Sequence, residues 1–124
     1  MTDEADSRAA EREARIPRNL AVIEARLRDC ADLAGRGEAA FFGTDFVNRY
    51  AAYAALIQIG NAAKDLPEQF RTAHPEVGWR ALTRTRDKVG HLYGDSIDWD
   101  VIWATLLDDV PTDLQGITRA RRAL

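Results

Sequence analysis

Between Arg86 and Tyr93 the chain reads Arg-Asp-Lys-Val-Gly-His-Leu-Tyr, so a guanidinium, an imidazole and a phenol fall within one short stretch. Arginine stays charged and forks onto phosphate oxygens, histidine changes charge near neutral pH, and tyrosine donates a hydrogen bond or stacks on a base. Together such groups can grip a phosphate and move a proton. Trp79 and Arg80 lie just upstream, and Arg80 with Lys88 makes the neighbourhood basic although the whole chain carries a net charge of −3.

Helical spacing limits what these residues can do alone. At about 100° per residue, Arg86 and Tyr93 lie within about 20° of one another, whereas His91 points about 140° away from Arg86. One straight helix therefore cannot aim all three at one point. Either the helix breaks at Gly90, or a second copy of the chain completes the site. Arg84, Asp87 and His91 share a cleaner stripe, at spacings of three and four. On it Asp87 can accept a hydrogen bond from His91 and hold one tautomer.

The elements that must position this stretch read as helices throughout. Residues 3–15 pair Glu4 with Arg8 and Glu11 with Arg15, four apart, which supports a solvated accessory helix. We therefore separate residues 1–15, a charged N-terminal segment, from a helical domain over 16–124. Pro17 suits the first turn of a helix whose apolar stripe runs Ile16, Leu20, Ile23, Leu27, Cys30 and Ala34 and stops at Gly35 and Gly37. A loop over 38–43 leads to Thr44 as N-cap, with Asp45 in the first turn of a long helix reaching about Leu66. Apolar residues on nearly every side mark that helix as central and most buried, and Gly60 within it implies a close approach by another backbone.

Pro67 opens a turn through Phe70, and His74-Pro75 marks a loop, with His74 read as a loop residue rather than a catalytic one. Trp79 begins the helix bearing Leu82, Val89 and the site residues. Asp98 or Ser96 caps the next, with Trp99, Ile102, Trp103, Leu106 and Val110, and Pro111 bars its continuation. The arginines 119, 121 and 122 close the chain as a solvated end. No run alternates with period two, so the expected class is all-α with no sheet.

A chain of 124 residues with 46% hydrophobic and 30% charged residues is the size and make-up of one soluble domain. Its net negative charge implies no general pull toward nucleic acid, so RNA contact would need a local basic patch. The single cysteine, Cys30, excludes an intramolecular disulfide and reads as core, and two histidines make a protein-built metal site improbable. A reducing cytoplasm is the expected location. The first fifteen residues lack the apolar stretch of a targeting peptide, and the greasy run from Tyr50 to Gly60 falls far short of the roughly 20 residues that span a bilayer.

The segment Arg86-x(4)-His91-x-Tyr93 is similar to the R-x(4-6)-H-x-Y motif of the HEPN superfamily, and its surroundings resemble the HepT-like branch. The likeness takes in Phe42 to Asp45, Leu56 to Ala62, Pro75 to Trp79 and Trp103 to Pro111, and so covers roughly residues 16–114. It implies an up-and-down bundle of four to six helices that forms a homodimer, with the motifs of two chains meeting in a cleft. It also implies a metal-independent, cofactor-free ribonuclease acting as the toxin of a type II toxin-antitoxin system. The partner would be a minimal nucleotidyltransferase antitoxin that transfers AMP onto Tyr93. Two positions depart from the family pattern: Asp87 stands where Asn is common, and Asn61 where Glu is common. An acid at 87 repels a phosphate unless His91, Arg84 or Lys88 pairs with it.

Three functions are compatible with these residues. In an endoribonuclease, His91 takes the proton of a ribose 2′-hydroxyl, Arg86 stabilises charge on the phosphorane, and Tyr93 positions the phosphate or stacks on a base. Asp87, Lys88 and Arg84 are then the supporting groups, and a two-fold partner supplies the second imidazole that transesterification needs. The alternative is a non-catalytic module that binds a nucleotide or RNA and docks the nucleotidyltransferase. The third is a helical dimer with no site.

Overall fold

The computed structural model describes residues 2–89 and 96–124. Its first helix, α1 (Thr2–Gly35), buries the expected stripe of Leu20, Ile23, Leu27 and Cys30, with Leu33 in addition. Pro17 does not begin it; the helix runs straight through. Glu13 and Pro17 are both exposed there, so solvent can replace the backbone bond that proline cannot make. Residues 3–14 are exposed and Glu4 pairs with Arg8 at 3.0 Å, but Arg15 turns to Asp65 across the fold at 3.5 Å. The stop at the glycines is as expected, with Gly37 at a φ of 95°.

The loop read over 38–43 contains a four-residue helix, α2 (Glu38–Phe41). Burial of the Phe41 ring against Trp103, centroids 5.0 Å apart, rather than any periodic pattern, draws this segment in. In α3 (Val47–Lys64) Thr44 is not the cap; Asp45 accepts from the Val47 amide at 2.9 Å instead. Ala52, Ala55, Leu56, Ile59 and Ala63 are buried, and α3 packs on four other helices, α1 among them. It is central without being covered all round, because Phe46, Val47 and Tyr50 at its start stand 59%, 55% and 49% exposed.

Cross-links show that α1 and α3 run antiparallel. Asn19, the buried polar residue of α1, donates to the Ala62 carbonyl and to Asp65; farther along, Arg26 meets Gln58 and Arg36 meets Asn48. The turn after Pro67 becomes α4 (Glu68–Ala73), followed by α5 (Trp79–Val89). Asp98 caps α6 (Trp99–Asp108), accepting from the amides of Asp100 and Val101. Pro111 sits in the first turn of α7 (Val110–Arg122), so the last segment is a full helix, which proline starts as well as separates from α6.

Glu24 of α1 fastens α7 through Thr118 and Arg121, while Arg119 and Arg122 stay exposed. Among the described residues the fold is thus all-helical, with seven helices rather than four to six; α2 and α4 are the short additions. None of these helices is long and apolar enough to cross a membrane.

Candidate functional site

The site begins with an absence of side chain on α3. A Cβ placed on Gly60 would lie 2.0 Å from the Cβ of Arg86 and 3.3 Å from its Cα, so only glycine lets α5 come this close. The inferred backbone approach at Gly60 is therefore real, and the residue approaching is the motif arginine itself. Trp79 anchors the start of the same helix: it is buried, its indole donates to the His74 carbonyl at 2.9 Å, and Phe70 packs on its ring. His74 pairs with Glu76 at 2.9 Å, and that hydrogen bond holds the Glu76 carboxyl below the usual range.

With α5 fixed at both points, Arg86 Nε donates to Asn61 Oδ1 at 2.9 Å and its Nη1 donates to Asp87 Oδ1 at 3.3 Å. These bonds engage two of the five guanidinium N–H donors. The Arg86 side chain is one-third exposed, so the group is steadied by the protein and still open to solvent. Asp87 Oδ1 also meets the Lys64 ammonium of α3. The hydrogen bond from Lys64, followed by the one from Arg86, holds the Asp87 carboxyl below its ordinary range despite partial desolvation.

The partners expected for Asp87 were His91, Arg84 and Lys88. Among the described residues its cations are Lys64 and Arg86, because the Gly60 contact brings the α3 surface within reach. Arg84 and Arg80 are exposed on α5. His91, Tyr93 and the Lys88 side chain lie outside the described residues, as does the expected break at Gly90.

Asn61 and Lys64 were not recognised as site residues from sequence. Their signal was present in Gly60-Asn61 followed by Lys64, two polar groups three apart that share the helix face next to the close approach. Among the described residues no three His, Cys, Asp or Glu side chains gather as metal ligands. A depression of about 770 Å³ is lined by Phe42, Arg49 and residues 96–100.

A steadied arginine in a motif of this spacing agrees with what comparison with other proteins finds. The family model described as "Ribonuclease HepT-like" matches residues 23–119. The chain belongs to the HepT-like family. A protein named "Probable ribonuclease HepT" from Thermococcus cleftensis is 39% identical over 57% of this chain and 64% of its own length. A presumptive RNase of Methanocaldococcus jannaschii is 37% identical over 61% of this chain and 62% of its own. A third, from Caldanaerobacter subterraneus subsp. tengcongensis and also a presumptive RNase by name, is 33% identical over 72% and 81%. The match thus spans a little under two thirds of the first two relatives. No solved structure matches the chain. Arg86 opens the Arg-x(4)-His-x-Tyr spacing of this sequence, and the α3 face beside it carries Asn61 and Lys64.

Proposed function

We propose that this protein is a metal-independent endoribonuclease whose site is completed by a second copy of the chain. The observation that carries the reading is Arg86, held by Asn61 yet partly open to solvent, five residues before His91 in a chain of a family described as ribonucleases. Arg86 binds and stabilises the phosphate as negative charge grows on it. His91 removes the 2′-hydroxyl proton, Tyr93 positions the phosphate or stacks on a base, and the partner's imidazole returns a proton to the leaving oxygen. The exposed ridge of Phe46, Val47 and Tyr50 supports assembly, since apolar groups gathered in this way mark contact surfaces.

The same reading makes the protein the toxin of a toxin-antitoxin pair, with a minimal nucleotidyltransferase as antitoxin and Tyr93 as the residue it AMPylates. The alternative of a non-catalytic docking module rested on the charge of Asp87. The Lys64 ammonium beside that carboxylate weakens the case, because a paired acid repels a phosphate less. The test is cleavage of RNA by purified protein in EDTA. Wild type should cut and His91→Ala should fall by at least about a hundredfold with an unchanged melting temperature. Equal cleavage by the two proteins removes the nuclease reading. No cleavage by wild type, together with an AMP-sized mass on Tyr93 in the presence of the nucleotidyltransferase, favours the docking module.

A further inference from the structure

We propose that Asn61 and Lys64, both on α3, are positioning residues of the phosphate site: Asn61 orients the Arg86 guanidinium, and Lys64 takes up the charge of Asp87 so that Arg86 remains available to a phosphate. The inference rests on the reading of Arg86 as the phosphate-holding group and adds to it two residues from another helix.

Asp87 is next to Arg86 in sequence and bonded to it at 3.3 Å, so left alone the pair would be partly self-neutralised. A phosphate arriving at Arg86 would meet a carboxylate competing for the same guanidinium. Lys64 alters that balance by placing a second cation on the same carboxylate oxygen that Arg86 touches. Arg86, Lys64 and Asp87 then carry one net positive charge between them rather than none. Asn61 acts on direction: an acceptor on Nε fixes the guanidinium plane and leaves the Nη groups to fork onto oxygen atoms.

Folding alone gives little reason for this arrangement. The Lys64 and Asp87 side chains are 42% and 47% exposed, and ion pairs so open to water contribute little to stability. The join between α3 and α5 is already made by the Gly60 contact and by buried Leu56, Ile59 and Leu82. What the polar bridge changes is the charge and orientation beside Arg86.

The test uses the full chain and a fluorescent single-stranded oligoribonucleotide of mixed sequence. Lys64→Ala should raise KM about tenfold at low salt, and less at high salt, as expected when one charge is lost at the rim of an anion site. Adding Asp87→Asn to Lys64→Ala should recover most of that loss, because the uncompensated acid has gone. Asn61→Ala should lower kcat about tenfold with little change in KM, the mark of a contact from the oriented guanidinium that is made only in the transition state. Unchanged KM in Lys64→Ala, or no recovery in the double variant, overturns the role of Lys64. Unchanged kcat in Asn61→Ala overturns that of Asn61.

The Arg86 Nε–Hε NMR signal, assigned by its loss in Arg86→Lys, separates this inference from the nuclease reading. It should shift in Asn61→Ala and in Lys64→Ala. If wild type neither binds nor cuts the RNA, the function proposed above fails, and an Arg86 signal indifferent to both substitutions overturns the positioning inference as well.

Discussion

Asp113 is half-buried in the first turn of α7, and burial, with the charge of Asp109 adding to it, pushes its carboxyl up to about 6. Its folded pKa thus lies above the unfolded value near 4, the reverse of the usual carboxylate. Any stability linked to this group is fully present below about pH 4, falls as the pH rises toward 6, and does not return above it. Asp113→Asn should therefore raise the melting temperature at pH 7, by about 1–2 kcal/mol of stability after allowance for partial exposure, and should bring no gain near pH 4. Equal melting temperatures at pH 7 would refute this. Cys30 is a second displaced group: burial pushes its thiol up to about 12, which suits a core residue and leaves little thiolate to react.

At the scale of elements, the closest join is between α3 and α5 at Gly60. The obstacle to any side chain there is the Cβ and Cα of Arg86 rather than a flexible tip, so the helices themselves would have to part. Gly60→Ala should cost about 2–4 kcal/mol, since overpacking at a backbone contact cannot be relieved by a rotamer change. Far-UV circular dichroism should still show a helical protein with a lower melting temperature. If that melting temperature stays at the wild-type value, the join is not as tight as described. RNA cleavage should fall further than the stability loss explains, because the Asn61 bond to Arg86 depends on the same approach.

At the scale of the whole molecule, the composite-site reading requires an assembly larger than one chain. Light scattering should give about twice the 13.8 kDa of the chain at concentrations where RNA is cut. A monomeric mass under those conditions would mean that one chain carries a whole site, with His91 and Arg86 brought together by a bend at Gly90. Cleavage proportional to the square of protein concentration at high dilution would support the two-chain arrangement.

Much of this molecule was legible from residue types and spacing. The a/d stripe of α1, the Asp98 cap, the stop at Gly37 and the absence of period-two runs are local signals, carried by neighbours within a few residues, and they led to the all-helical class and most helix limits. The resemblance carried by Arg86, His91 and Tyr93 led to the family. Where reading failed, the cause lay in distant parts of the chain. Phe41 is helical because Trp103 covers it, Pro17 lies within α1 because both it and Glu13 face water, and Arg15 leaves Glu11 for Asp65.

The site divides in the same way. The motif arginine is written in the sequence, but its partner Asn61 lies 25 residues away, and Lys64, the partner of the adjoining Asp87, lies 23 residues from that acid; both become neighbours only because Gly60 has no side chain to hold the helices apart. The sequence by itself determined which groups can handle a phosphate. The tertiary structure decided what holds Arg86 and what neutralises Asp87, because hydrogen bonds and ion pairs depend on distances through space, which spacing along a chain does not set.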